Sequence, residues 1–380
     1  MKKALFISYY FAPEKTVAAQ RVSYWATNIK EHIDVEVDVI TASDQSSAED
    51  CNVDNIIHVA NSGVGLLGSF FKSDLGATWF YDLKRHFAKN KKKYDVVVIT
   101  GNPFLHFFIA RVLKKEMGCK VVLDFRDPFA KNERNANTTL SVKFKRKLLV
   151  IFEYFFCEFA DKIIVMNEGC KKLLCSRRQD IIEIIDNGYD DKSLGDATRK
   201  VAVSDTSKKT IVYLGSFALD RNIDNLLAAN KTLGVAFNIL HIGKPLEGLD
   251  SHKEVTRTGL VSYSDAVGYA KGADIGLILA SGKAFESTTK IFDYIGLELP
   301  ILIITNGEVK TGNIYEVTKD YPMVWWAENN EQSIVNTLEK IIRIEPNNKI
   351  NNFLKERYSR SYGLSALARF IDSEETNVRK

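Results

Sequence analysis

The stretch TIVYLGS (210–216) begins a strand pattern for the second time. β-branched and aromatic residues run into Leu214, and the run ends at Gly215. Before it, DNGYDDKSLGDATRKVAVSDTSKK (186–209) is polar with no sustained apolar period, so it reads as a linker. Upstream lie ALFIS (4–8), VDVIT (37–41), VVVIT (96–100), VVLDF (121–125) and KIIVM (162–166). These are nearly continuous apolar runs, the pattern of parallel strands covered on both faces. Downstream the pattern resumes in FNILHIG (237–243), GADIGLIL (272–279), PILIIT (300–305) and MVWWA (323–327), and then 328–344 and 353–375 read as helices. Helical patterns separate the runs in both halves. This order predicts two doubly wound α/β domains in series. The expected boundaries are a first domain over 1–190, a linker over 191–209, a second domain over 210–350 and a terminal helix over 351–380. Ligands of such sheets bind outside the carboxyl ends of the strands, so two of them facing each other would line a cleft.

Composition excludes several classes. The 380 residues hold 52 Lys plus Arg against 48 Asp plus Glu, a net charge of +4, too balanced for a nucleic-acid binder. The 5 cysteines form no C-x-x-C pair and point to a reducing compartment. No His/Cys cluster or loop D-x-D suggests a metal site. The opening MKKALFISYYFAP reads as a first strand rather than a signal peptide. No uncharged apolar run approaches the ~20 residues of a spanning helix. A cytoplasmic protein is expected, peripheral at the inner face of the plasma membrane.

The usual nucleotide motifs are missing. YYFAPEKTVAAQRVSYW (9–25) follows the first strand and contains no G-x-G-x-x-G. G-x-x-x-x-G-K-[ST] and G-x-S-x-G are absent as well, which removes the usual marks of a P-loop hydrolase and an α/β-hydrolase.

In ESTTKIFDYIGLELP (286–300), a turn of 100° per residue puts Ile291, Phe292, Ile295 and Leu299 on one face. Lys290, Asp293, Tyr294 and Leu297 then lie opposite, away from the core. Thr288 or Thr289 is placed to cap the helix. Lys290 and Asp293 are either a solvated pair at i,i+3 or the edge of a binding site.

Seven segments in order resemble glycosyltransferase family 4: ISYYFAPEKTVAAQR, VVLDFRDPF, ADKIIVMNEG, IIDNGYD, IVYLGSFALDRNIDNLLAA, ADIGLIL and KIFDYIGLELPIL. The resemblance covers nearly the whole chain. It implies the GT-B fold, with two Rossmann-like parallel-sheet domains facing a cleft and a C-terminal helix crossing back to the N-terminal domain. It also implies an acceptor site in the first domain and a nucleotide-sugar donor site in the second.

On the donor side, Asp293 matches the second acid of the family's E-x7-E motif, which bonds the ribose hydroxyls. The first acid falls on Phe285, with Glu286 next to it as the catalytic-site carboxylate. Ser287, Thr288, Thr289 and Lys290 would meet the diphosphate at a helix N-terminus. Gly215, Ser216 and Arg221 complete the donor set, with Ser216 where relatives carry an arginine.

On the acceptor side, Arg126 and Asp127 stand where relatives carry a His-Asp pair near the reacting sugar; an arginine there stays protonated and is a poor base. Glu14, Lys15, Gln20 and Arg21 are the acceptor candidates, beside Ala18-Ala19 in place of a Gly-Gly pair.

The implied reaction is retaining transfer of a hexose or N-acetylhexosamine from a nucleotide diphosphate sugar, UDP favoured. The acceptor would be a glycan or lipid-linked sugar of bacterial surface polysaccharide, with no metal or other cofactor. A GT-B epimerase and a catalytically silent GT-B subunit are the alternatives. The basic, aromatic-rich stretch 141–160 and the KNKKK cluster (89–93) suit an anionic membrane surface, or a packed helix with a solvated start.

Overall fold

The computed structural model describes residues 1–14, 16–43, 51–131, 140–217, 223–244, 254–343 and 352–374. The chain divides into two compact units, Met1–Asp186 with Leu364–Lys380, and Asn187–Gly363. Six of the helices bear on the sites: α1 (Val17–Asn28), α2 (Leu140–Glu158), α3 (Asp191–Asp196), α4 (Tyr263–Gly272), α5 (Thr289–Gly296) and α6 (Arg360–Asp372).

In the first unit the strands are β1 (Lys2–Ser8), β2 (Val35–Thr41), β3 (Asn55–His58), β4 (Val96–Thr100), β5 (Lys120–Phe125), β6 (Lys162–Val165) and β7 (Ile182–Ile184). They form one parallel sheet in the order β3-β2-β1-β4-β5-β6-β7. Ala4, Leu5, Phe6 and Ile7 are all buried. Successive side chains point to opposite faces, so both faces of the sheet are covered. Ala4, Phe6, Val37, Val39, Val96 and Val98 share a core with Val22 and Trp25 of α1. Leu364, Leu367, Ala368 and Ile371 of α6 close the same core. Lys2 donates to the carbonyl of Ile371 at 3.1 Å, and Lys120 to Ser373 Oγ at 3.1 Å, so lysines meet the helix's negative C-terminal end.

In the second unit the strands are β8 (Lys209–Leu214), β9 (Phe237–Ile242), β10 (Val255–Gly259), β11 (Ile275–Ala280), β12 (Ile301–Thr305) and β13 (Val324–Glu328). Their order is β10-β9-β8-β11-β12-β13, again parallel. Each sheet therefore reverses direction once, between β1 and β4 and between β8 and β11. These are the topological switch points where an open sheet accepts ligands.

The polar stretch read as a linker is structured from Asn187 onward. Tyr189, Leu194 and Ala197 are buried in the second core. A Cβ on Gly268 would come within 2.4 Å of the Thr198 carbonyl oxygen, and one on Gly272 within 1.8 Å of that of Lys200. Two glycines on α4 thus let this backbone lie directly against the helix, so few apolar side chains are needed to hold it. Among the described residues, no helix is long and apolar enough to cross a membrane.

Candidate functional site

At the switch point of the second unit, β8 and β11 pair only at Ile211–Ile275 and Val212–Gly276. Beyond that the Tyr294 hydroxyl stands between them, accepting from Leu214 N at 3.3 Å and donating to the Val212 carbonyl at 3.1 Å. Gly276 makes room for it, since a Cβ there would lie 2.5 Å from the Tyr294 ring. The opening next to this wedge is lined by the turn after β8 and the start of α5.

Lys290 projects from α5 so that its Nζ lies 4.0 Å from the centroid of the Tyr213 ring. A Cβ on Gly215 would sit 3.2 Å from that ammonium, and Gly215 has φ +118°, a conformation that favours glycine. The Gly215 carbonyl accepts from His241 Nε2 at 2.8 Å. His241 is buried, and burial holds its pKa below the usual value, so the neutral ring donates from Nε2. Its ring lies 4.2 Å from that of Phe217, which stacks on Tyr213 at 5.0 Å. Gly243 completes the lock, because a Cβ there would lie 2.4 Å from the Gly215 carbonyl oxygen. A backbone turn with a cation above it is thus fixed from below by a stack of rings.

Asp293, expected on a face away from the core, is buried, and so is Tyr294. The face is covered because α5 is enclosed on its outer side. A Cβ on Gly296 would meet Leu194 at 2.5 Å and Tyr189 at 2.7 Å, and the Tyr263 hydroxyl donates to Asp293 Oδ1 at 2.6 Å. Burial pushes the Asp293 carboxyl up to about 6, against the Tyr263 hydrogen bond and the charge of Arg360. Thr288 holds the N-cap position but makes no side-chain cap bond, contrary to the capping expected of it or Thr289. Ser287, Thr288 and Thr289 are half-buried at this end and Ser216 is exposed. Phe285 is buried. Glu286 is half-buried, its Oε2 accepting from both Ser281 N and Ser281 Oγ at 2.7 Å, which ties it to the end of β11. Arg221 lies outside the described residues.

In the first unit, Arg126 is buried at the end of β5 and its Nη1 donates to the Ala18 carbonyl in α1. Asp127 follows it, half-buried. Glu153 of α2 braces the loop beyond, accepting from Ala130 N at 2.9 Å and Cys175 N at 2.5 Å. Arg21, expected as an acceptor contact, is instead only 3% exposed. Its guanidinium meets Asp124 at 3.3 Å, donates to the carbonyls of Ile185 at 2.9 Å and Asp186 at 2.8 Å, and covers the Trp25 ring at 4.1 Å. It clamps α1 to the ends of β5 and β7, because the carboxylate inside the sheet demands a charged partner. Glu14 accepts from Ser43 Oγ at 2.7 Å. Gln20 is half-buried on α1, and Lys15 lies outside the described residues.

Residues 26–193 match the family described as Glycosyltransferase Family 4. That match covers less than half of the chain, and the fold is that of the GT-B glycosyltransferases. Its fold is similar to that of Anabaena Alr3699/HepE in complex with UDP and glucose, with a TM-score of 0.68 at 11% identity, covering 98% of this chain and 99% of that one. It is also similar to sucrose-phosphate synthase from Thermosynechococcus elongatus, with a TM-score of 0.65 at 14% identity, covering 98% and 95%. A third similar structure is the lipopolysaccharide outer core galactosyltransferase WaaB, with a TM-score of 0.61 at 12% identity, covering 97% and 99%. No curated protein sequence matches the chain.

Sequence reasoning placed Tyr294 on the face away from the core without a role and passed over Tyr263 and His241. A glycine inside an apolar strand, Gly276, was the available sign that a bulky side chain enters there. The His-Ile-Gly at the end of FNILHIG was a similar sign beside the first turn.

Proposed function

We propose that this enzyme transfers a hexose or N-acetylhexosamine, with retention, from a nucleotide diphosphate sugar to a glycan or lipid-linked acceptor of bacterial surface polysaccharide. The observation that carries the donor side is the Lys290 ammonium against the Gly215 turn at the switch point of the second unit, with Asp293 buried on the same helix. The diphosphate would lie between the Lys290 ammonium and the first-turn amides of α5, where the helix N-terminus favours an anion. A carboxylate can accept several hydrogen bonds, and Asp293 is already oriented by Tyr263, which suits it to the ribose hydroxyls. UDP is the favoured nucleotide, in keeping with the UDP and glucose complex of the Anabaena protein.

The chemistry is front-face attack. The acceptor hydroxyl bonds to the anomeric carbon as the bond to the diphosphate breaks, and the leaving phosphate oxygen takes the hydroxyl proton. The chain's part is charge stabilisation by Lys290 and backbone amides, with Arg221 assigned to the same task. Arg126 and Asp127 order the loop nearest the acceptor, and Glu286 stands at the sugar end. The scheme calls for no metal or other cofactor. A cytoplasmic enzyme working against the inner face of the membrane fits this chemistry.

A thermal-shift titration with UDP-, GDP- and dTDP-sugars tests the reading. At least one should stabilise the protein, and Lys290→Met should weaken that binding by about 10- to 100-fold, the worth of a charge-assisted hydrogen bond. No response to any of them would overturn the assignment. Product from UDP-N-acetylglucosamine with no acceptor present would favour an epimerase, and donor binding without turnover in the presence of its acceptor would favour a silent subunit.

A further inference from the structure

The turn after β8 sends its carbonyls into the core and its amides outward. The Gly215 amide still belongs to the sheet, donating to the Ile242 carbonyl of β9 at 2.7 Å. At Gly215 the chain takes φ +118°, and the next two carbonyls point inward. That of Gly215 accepts from His241 Nε2 at 2.8 Å, and that of Ser216 accepts from the Tyr213 hydroxyl at 3.2 Å. Both donors are buried side chains of the sheet, each 1% exposed. In a planar trans peptide the N–H points opposite to the carbonyl of the same unit. The amides of Ser216 and Phe217 are therefore aimed out of the ring stack, at a turn where the Ser216 side chain is exposed. Lys290 Nζ, 3.2 Å from where a Cβ on Gly215 would stand, brings a cation to the same turn. Successive backbone amides of this kind favour an anion.

His241 is costly where it stands. Its Nδ1 is buried and finds no hydrogen-bond partner among the described residues. The rings of Phe217 at 4.2 Å and Tyr213 at 5.9 Å enclose it, and its strand is otherwise lined with Phe237, Ile239, Leu240 and Ile242. An unsatisfied buried nitrogen destabilises a core, so an apolar residue would pack there at less cost. What the imidazole adds is the bond that fixes the Gly215 carbonyl. Burial, helped by the charges of Arg257 and Lys290, holds the ring neutral against the pull of that carbonyl.

We infer that His241 and Tyr213 are positioning residues for the diphosphate of the donor. By holding the carbonyls of Gly215 and Ser216 inward, they keep the amides of Ser216 and Phe217 directed at phosphate oxygens beside Lys290. Both act through the backbone rather than on the ligand. The inference rests on the proposed donor site and names the groups that orient its diphosphate.

Calorimetric titration of the full chain with UDP, set beside an NMR titration with uridine, tests it. His241→Met removes the Nε2 donor and keeps the space filled. Tyr213→Phe removes the hydroxyl and keeps the ring under Lys290. Each should weaken UDP binding by about 5- to 10-fold and leave uridine binding unchanged, because the nucleoside has no phosphate to meet the turn. His241→Gln, whose side-chain amide can donate to the same carbonyl, should recover most of the UDP affinity. Equal losses for UDP and uridine in both variants would make His241 and Tyr213 core residues only and overturn the inference. Full UDP affinity in both would overturn it as well. Should His241→Met fail to fold, Tyr213→Phe decides by the same comparison. An unaltered chain that binds neither UDP nor uridine would instead overturn the reading of the donor site itself.

Discussion

Asp293 and Lys290 sit three residues apart on one helix and play opposite electrostatic parts. The ammonium rests on a ring beside a backbone turn, whereas the carboxyl is enclosed. The carboxyl's pKa rises from an unperturbed 3.8 to about 6 because burial disfavours its charged form. A raised folded-state pKa means that the native state binds the proton more tightly. The resulting stability is fully present below about pH 4 and is lost as pH rises through about 6. Tyr263, Arg360, Asp190 and Lys290 are the charged or titratable groups that act on it. Asp293→Asn should therefore raise the apo melting temperature at pH 7 to 8 and flatten the decline between pH 4 and 6, by on the order of 2 to 3 kcal/mol. It should also weaken nucleotide binding, because an amide oxygen is a poorer acceptor for ribose hydroxyls than a carboxylate. Denaturant melts across pH, with and without UDP, measure both. An unchanged pH profile would show that the carboxyl is not enclosed. The identity of these two residues was legible in the sequence, but their surroundings were not. A helical wheel assigns one buried face and cannot see that α3 and α4 close over the other.

At the scale of elements, the crevice of the second unit depends on a tyrosine wedge. Three backbone groups lie within hydrogen-bond reach of the Tyr294 hydroxyl, at Val212, Leu214 and Leu277. Tyr294→Phe would leave the Leu214 amide and Val212 carbonyl without that partner, at a cost of about 1 to 3 kcal/mol. The expected result is a lower melting temperature together with weaker donor binding, since the Gly215 turn follows directly from Leu214. Stability lost with donor affinity intact would confine Tyr294 to the core. Central strands were readable because they are buried on both faces and apolar throughout. Of the edge strands, β13 kept its apolar run and was readable, whereas β3 (NIIH), β7 (IEI) and β10 (VTRTG) were not. An edge strand is hydrogen-bonded on one side only, and in these three the sequence carries polar residues that hide the pattern.

For the whole molecule, the chain order and the unit order differ. The first unit needs residues from the far end of the sequence, since Leu364, Leu367, Ala368 and Ile371 fill its core. A fragment ending at Asp186 should thus expose an apolar face, bind hydrophobic dyes and aggregate. Leu367→Ala in the full chain should cost about 2 to 5 kcal/mol. A soluble, cooperatively folded 1–186 fragment would contradict this role for α6. The helix pattern over 353–375 could be read from sequence, and the resemblance supplied its destination. The boundary at Asp186 could not be read, because the segment after it packs through glycines on α4 rather than through apolar side chains of its own.

By itself, the sequence determined the alternation of central strands and helices, the division into two parallel sheets and the identity of Lys290, Asp293 and Gly215 as candidates. The strands and sheets follow from local periodicity, which physical chemistry imposes along the chain, and the three candidates from residue type together with the family resemblance. Only the tertiary structure decided that Arg21 is an internal clamp, that Asp293 is enclosed beneath Tyr263, and that Tyr294 separates β8 from β11. Burial and partnership are set by residues distant in sequence, and no local pattern records which of them will meet.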